Sequence, residues 1–145
     1  MKKYQGLEGI LLIDDDLPTN FIHKKVIEKA SIEAVVKSVT NVEEALDFIT
    51  YSGIYEDTSD IPRPGLIFLD INMPGLNGWD FMDAYRQLDK RFKATAVIIM
   101  LTTSLDPDNK ELALIDKEVV VFLNKPLKPE MVTTLVNSYF KEISD

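Results

Sequence analysis

The side chains able to do chemistry in this 145-residue chain fall at four places: the carboxylates Asp14, Asp15 and Asp16, the single carboxylate Asp70, the hydroxyl pair Thr102 and Thr103, and the triplet Asn124, Lys125 and Pro126. Each place follows directly on a short apolar run. Carboxylates from two such runs, brought side by side, repel one another at neutral pH and either share protons or bind a cation. An all-oxygen cluster with no His or Cys suits a hard octahedral ion, Mg²⁺ above all. Alone, an Asp run after a strand is ordinary turn or helix-capping chemistry. Four polar places in this order, with a lysine and a threonine among them, point instead to one assembled site.

The elements that must position these residues are the apolar runs themselves: residues 9–14, 34–39, 66–70, 96–101 and 119–124, each rich in Ile, Val, Leu or Phe. They read as five strands. Three are almost continuously apolar, the pattern of strands covered on both faces. Helix-start signals lie between them: Asn41 with Glu44 three residues later, and Pro129 with Glu130 before an apolar-periodic stretch. Alternation of strand and helix with right-handed crossovers predicts an α/β fold, a five-stranded doubly wound parallel sheet with helices on both faces. In such sheets ligands bind outside the carboxyl ends of the strands, and all four polar places fall on that edge. Residues 52–65, with Gly, Pro, Ser and acidic residues and no clear period, read as a surface loop, an insertion of the kind surfaces tolerate.

Composition narrows the function classes. The chain is 46% hydrophobic and 28% charged, with a net charge of −8, which fits one compact domain. Its average surface repels phosphate backbones and anionic lipid, so no direct nucleic-acid partner is expected. There is no cysteine, which removes disulfides and thiol nucleophiles and fits a reducing, cytoplasmic setting. The apolar stretch Ile10 to Ile13 is too short for a signal-peptide core, and no segment approaches the length of a membrane span.

Over essentially its whole length the sequence resembles the response-regulator receiver family, the CheY-like domains of flavodoxin-like fold. The resemblance is carried by LLIDDD (11–16), LIFLDINMPGLNGWDF (66–81), IIMLTT (98–103) and FLNKPL (122–127). It implies a single receiver domain over residues 1–145 with no output domain, acting in a two-component system or phosphorelay. Carried over position by position, it makes Asp70 the phosphoacceptor, Asp14 and Asp15 the acidic pair, Thr102 the switch hydroxyl, Lys125 the phosphoryl-contacting lysine and Phe122 the switch aromatic. Asn72 would lend its backbone carbonyl to a Mg²⁺ ion held by Asp15 and Asp70, with Asp14 contributing through water. Lys125 would pair with Asp70 before phosphorylation. The bond between Lys125 and Pro126 is often cis in the family. Gly75 and Gly78 fit a loop that passes close to the site or takes positive φ, although plain turn chemistry explains them equally. Thr103 stands where the family often has Ala or Gly, and its extra bulk bears on how long a phosphorylated state would last.

The implied partners are a histidine kinase or histidine phosphotransfer protein upstream and an unidentified protein target downstream. A helical projection of residues 19–30 puts Ile22, His23, Val26, Ile27 and Ala30 on the apolar arc and Asn20, Lys24, Lys25, Glu28 and Lys29 on the polar one. Phe21 falls inside the polar arc. An aromatic beside Lys24 and Lys25 is what a docking surface needs; the alternative is a ring folded into local packing. His23 reads as a structural histidine and Trp79 as a helix anchor. Two competing functions are weighed against the receiver: an interaction module of the same fold not regulated by phosphorylation, and an aspartyl-phosphate phosphohydrolase. The second needs an acid two residues after the nucleophile, where this chain has Asn72, so no turnover of external substrates is expected.

Overall fold

The computed structural model describes residues 1–93, 97–103 and 119–143. In chain order the strands are β1 (Lys3–Tyr4), β2 (Gly9–Ile13), β3 (Val35–Val39), β4 (Leu66–Asp70), β5 (Val97–Thr102), β6 (Val119–Asn124) and β7 (Glu142–Ile143). The helices are α1 (Leu17–Lys29), α2 (Val42–Thr50), α3 (Gly78–Arg86), the single turn α4 (Lys90–Lys93) and α5 (Pro129–Tyr139). Five strands form one parallel sheet in the order β3-β2-β4-β5-β6. The chain therefore moves outward from β2 to β3 and returns to the other side for β4, which places the topological switch point between β2 and β4. The connection between β5 and β6, 104–118, lies outside the described residues. None of the described helices is long and apolar enough to cross a membrane.

Alternation along the strands explains why β2, β4 and β5 are apolar almost throughout. Successive side chains leave a strand on opposite faces, so Leu11, Ile13, Ile67, Leu69, Ile98 and Met100 enter one core with Phe48, Phe81 and Tyr85 from α2 and α3. Ile10, Leu12, Leu66, Phe68, Ile99 and Leu101 enter the other, with Ile27 from α1 and Val132, Leu135 and Val136 from α5. The edge strand β3 carries Lys37 and Ser38, whereas a polar residue inside β2, β4 or β5 would face a core on one side or the other. The polar residues accordingly begin where the runs end.

The helix starts follow the sequence signals: Asn41 Oδ1 accepts the Glu44 N–H at 2.7 Å, and Pro129 opens α5. The projection of α1 needs correction. Asn20, assigned to the polar arc, is 3% exposed, and Ile22, assigned to the apolar arc, is 56% exposed. The buried stripe runs Asn20, His23, Ile27, because the sheet end it covers offers backbone carbonyls as well as apolar surface.

Two features lie outside the sequence reading. Strands β1 and β7 pair antiparallel, Lys3 opposite Ile143 and Tyr4 opposite Glu142, and the Tyr4 hydroxyl donates to Asn137 Oδ1 at 2.9 Å. Two-residue strands carry too little pattern to read. The 52–65 loop, although on the surface, is anchored. Tyr55 is buried edge-on against Phe48, ring centroids 5.2 Å apart, and the Arg63 guanidinium lies over both Phe48 and Tyr51, 4.3 and 3.6 Å from the ring centres. Its Nη1 donates to the carbonyls of Thr58 and Ile61 at 2.9 and 2.8 Å. Arg63→Ala removes these bonds and the stacked plane together. Limited proteolysis should then cut between residues 56 and 60 at least tenfold faster, while the melting of the sheet shifts by no more than about 1 to 3 kcal/mol.

Candidate functional site

Asp14 leaves the end of β2 still tied to the sheet, its N–H donating to the Val39 carbonyl at 3.2 Å. Its carboxylate accepts the Asp16 N–H at 3.0 Å. Asp16 turns away and caps α1, accepting the Thr19 N–H at 3.1 Å and the Thr19 hydroxyl. The acidic run is thereby divided. One oxygen each from Asp14, Asp15 and Asp70 lie within 4.8 Å of one another, with Asp14 and Asp70 buried and Asp15 exposed, and Asp16 is committed to the helix.

Asp70 is the last residue of β4, and its Oδ1 accepts the Asn72 N–H at 3.3 Å. The loop after it folds back tightly. Gly75 has φ +75°, and a Cβ on Gly78 would lie 2.9 Å from both the Asp70 carbonyl oxygen and the Ile71 Cα. Both glycines are thus required by backbone geometry, Gly75 by its left-handed conformation and Gly78 by close approach. Asn77 then caps α3 in a reciprocal box with Asp80.

Thr102 closes β5 and is fully buried. Its hydroxyl accepts from the Asn72 side-chain amide at 3.3 Å. The resemblance implied only a backbone role for Asn72, and this side-chain contact was not anticipated. Phe122 lies opposite Met100 in the β5–β6 register and packs half-buried against the core under α2 and α3. Lys125, its N–H bonded to the Thr102 carbonyl at 2.7 Å, precedes a cis bond to Pro126. Its ammonium stands 2.7 Å from Asp14 Oδ2 and 3.4 Å from Asp70 Oδ1. The expected pairing with Asp70 is therefore the longer of two, because both buried carboxylates border the lysine and Asp14 gives the tighter hydrogen bond.

These contacts set the protonation states. Burial, reinforced by the Asp14 charge, pushes the Asp70 carboxyl above its ordinary value against the opposing pull of Lys125. For Lys125, burial acts downward, but the Asp14 hydrogen bond and the charges of Asp70 and Asp14 outweigh it, leaving the ammonium above its usual value. His23, buried on α1, is lowered by desolvation and by Lys125. It is a structural neighbour of the site and is absent from the acidic cluster.

The all-oxygen donor set, two carboxylates buried and one open to solvent, fits a metal site for a hard cation. On α1, Phe21 is 63% exposed beside the exposed Lys24, with the Lys25 ammonium 5.4 Å from its ring. Phe21 is thus largely open to solvent, and Leu17 and Ile22 are further exposed apolar side chains on the same helix.

A family model described as the response regulator receiver domain matches residues 10–137. The chain belongs to this family. The solved structure of a two-component response regulator from Cytophaga hutchinsonii is similar at a TM-score of 0.78 and 30% identity, covering 92% of this chain and 96% of that one. The receiver is also 29% identical, over 93% of its length, to hybrid signal transduction histidine kinase L of Dictyostelium discoideum, and 25% identical, over 91%, to chemotaxis protein CheY of Thermotoga maritima. It spans 97% of the latter but only 7% of the former. It is thus a receiver module of two-component signalling, similar both to free-standing regulators and to the receivers of hybrid kinases.

The raised carboxyl of Asp70 has a measurable consequence. A group whose pKa is higher folded than unfolded binds more protons in the folded state, so its contribution to stability declines as pH rises through the carboxylate range. Metal-free Asp70→Asn should therefore melt above the parent protein at pH 7. The difference should shrink toward zero as pH falls below the ordinary carboxylate value, followed by calorimetry across that range.

Proposed function

We propose that this receiver takes a phosphoryl group onto Asp70 from the phosphohistidine of a histidine kinase or phosphotransfer protein, and in doing so switches a surface recognised by a downstream protein. The observation that supports it best is the setting of Asp70, a buried carboxylate at a strand end with a lysine ammonium and two further carboxylates around it. A carboxylate oxygen of Asp70 attacks phosphorus in line, the P–N bond breaks with its electron pair leaving on the imidazole, and an acyl phosphate forms. Mg²⁺ bound by Asp15 and Asp70, with Asp14 through water and the Asn72 carbonyl, would neutralise charge on the nucleophile and the transferring group.

Lys125 then exchanges part of its carboxylate pairing for phosphoryl oxygen. Thr102 exchanges the Asn72 amide for the same group, and as its hydroxyl turns, Phe122 rotates inward into the space released. Having no phenolic oxygen, Phe122 makes that move without a hydroxyl hydrogen bond to gain or lose. External substrates are not turned over, since Asn72 supplies no acid where a phosphohydrolase needs one. The receiver acts in the cytoplasm through protein partners. Phe21 and Lys24 form the docking face for the upstream partner, an apolar anchor beside positive charge.

Incubation with a small acyl phosphate and Mg²⁺ should add one phosphoryl group by intact-mass analysis, and Asp70→Asn should add none. Equal labelling of the variant removes Asp70 from the mechanism. In the same preparations Asp15→Ala should weaken Mg²⁺ binding at least tenfold and Asp16→Ala by less than twofold, because only Asp15 joins the cluster.

A second measurement separates docking from chemistry. Phe21→Ala should slow transfer from the cognate kinase about tenfold to a hundredfold while leaving labelling by the small donor and the melting temperature unchanged. Transfer at the parent rate would leave Phe21 an incidental surface residue.

A further inference from the structure

Asn20 is a buried polar side chain beside the site. It sits on the first turns of α1, 3% exposed, at a position a helical wheel gives to solvent. Its amide nitrogen donates to the Asp14 carbonyl at 2.9 Å and to the Val39 carbonyl at 3.3 Å. The Val39 carbonyl also accepts the Asp14 N–H. Asn20 thus bridges the carboxyl ends of β2 and β3 at the point where Asp14 leaves the ladder and its carbonyl loses a strand partner. Its Oδ1 is buried without a hydrogen-bond partner among the described residues. An asparagine with half its amide unpaired is a poor stabiliser of a fold, which turns attention to what the other half holds.

With its N–H held by Val39 and its carbonyl held by Asn20, Asp14 has the two peptide planes that flank its Cα fixed, and these planes set where the carboxylates of Asp14 and Asp15 emerge. We infer that Asn20 is a positioning residue that holds the acidic pair in metal-binding geometry from behind, touching neither the ion nor the phosphoryl group. The inference rests on the reading of Asp14, Asp15 and Asp70 as a Mg²⁺ site. Partners of this indirect kind, which orient ligands without binding the ion, typically change metal affinity tenfold to a hundredfold when removed.

The test compares Asn20→Ala, Asn20→Ser and Ile32→Ala. Ile32 is a buried residue at the opposite edge of the sheet, and its truncation serves as a control for lost stability. Mg²⁺ dissociation constants are measured by calorimetric titration well below each melting temperature. Asn20→Ala should bind Mg²⁺ at least tenfold more weakly, Asn20→Ser should fall between it and the parent because a hydroxyl can still donate one bond, and Ile32→Ala should stay within twofold of the parent. In the metal-free parent protein the Asn20 side-chain amide protons should exchange slowly with solvent by NMR. If Asn20→Ala does not fold, Asn20→Ser and the exchange measurement decide. Asn20 variants that bind within twofold of the parent, a control that loses as much, or rapid exchange of the amide overturn the inference while the parent still binds Mg²⁺ and accepts phosphate. A parent that does neither overturns the proposed function, and this inference with it.

Discussion

The ammonium of Lys125, held between Asp14 and Asp70, is the interaction on which the rest of the site depends. Two buried carboxylates with a third close by would otherwise repel one another strongly enough to force protonation or to push the loops apart. One cation between them lets the cluster persist charged and compact. The same geometry sets its reactivity, since a lysine shared by two carboxylates restrains Asp70 less than a lysine devoted to it. The sharing depends on chain direction: parallel strands deliver Asp14, Asp70, Thr102 and Lys125 to one edge, and no antiparallel arrangement of the same runs would.

How far the sequence discloses this depends on the range of the forces involved. The central strands are legible because a strand with a core on each face must be apolar at every position, as Leu66 to Leu69 and Ile98 to Leu101 are, while the edge strand β3 admits Lys37 and Ser38. Asp14, Asp70 and Thr102 are legible because each interrupts such a run at its end and Lys125 because it follows one, and the resemblance assigned the acidic pair to Asp14 and Asp15, while the cap of α1 shows what Asp16 does instead. The direct pairing of Lys125 with Asp14 spans 111 positions and leaves no local trace. Neither does the burial of Asn20, since a helical wheel records polarity but not the carbonyls that a strand end presents. Ile22 was misplaced for the same reason.

Arg63 illustrates a different limit. Gly, Pro and acidic residues in 52–65 mark a loop correctly, yet an arginine plane laid across Phe48 and Tyr51 makes that loop part of the packed body. The aromatics belong to α2 and its end while the cation belongs to the approach to β4, so the partners are visible only in three dimensions. The anchored loop leads directly into Leu66, the start of the strand that carries Asp70.

The clasp between β1 and β7 bears on how the molecule would respond to tension. Because the two strands are antiparallel and their outer residues are Lys3 and Ile143, a pull applied to the two chain ends peels the pair open from the outside, breaking its few bonds in turn. Load from the amino end is carried also by the Lys2 backbone bonds to Ser31 and Glu33 and then reaches β2, bonded along its length to β3 and β4, where force directed along the strand must shear two ladders at once. A tether at either end would therefore meet a compliant outer latch and a stiff interior. Modest mechanical strain would be absorbed at the amino edge of the sheet, away from the carboxylates on the opposite rim.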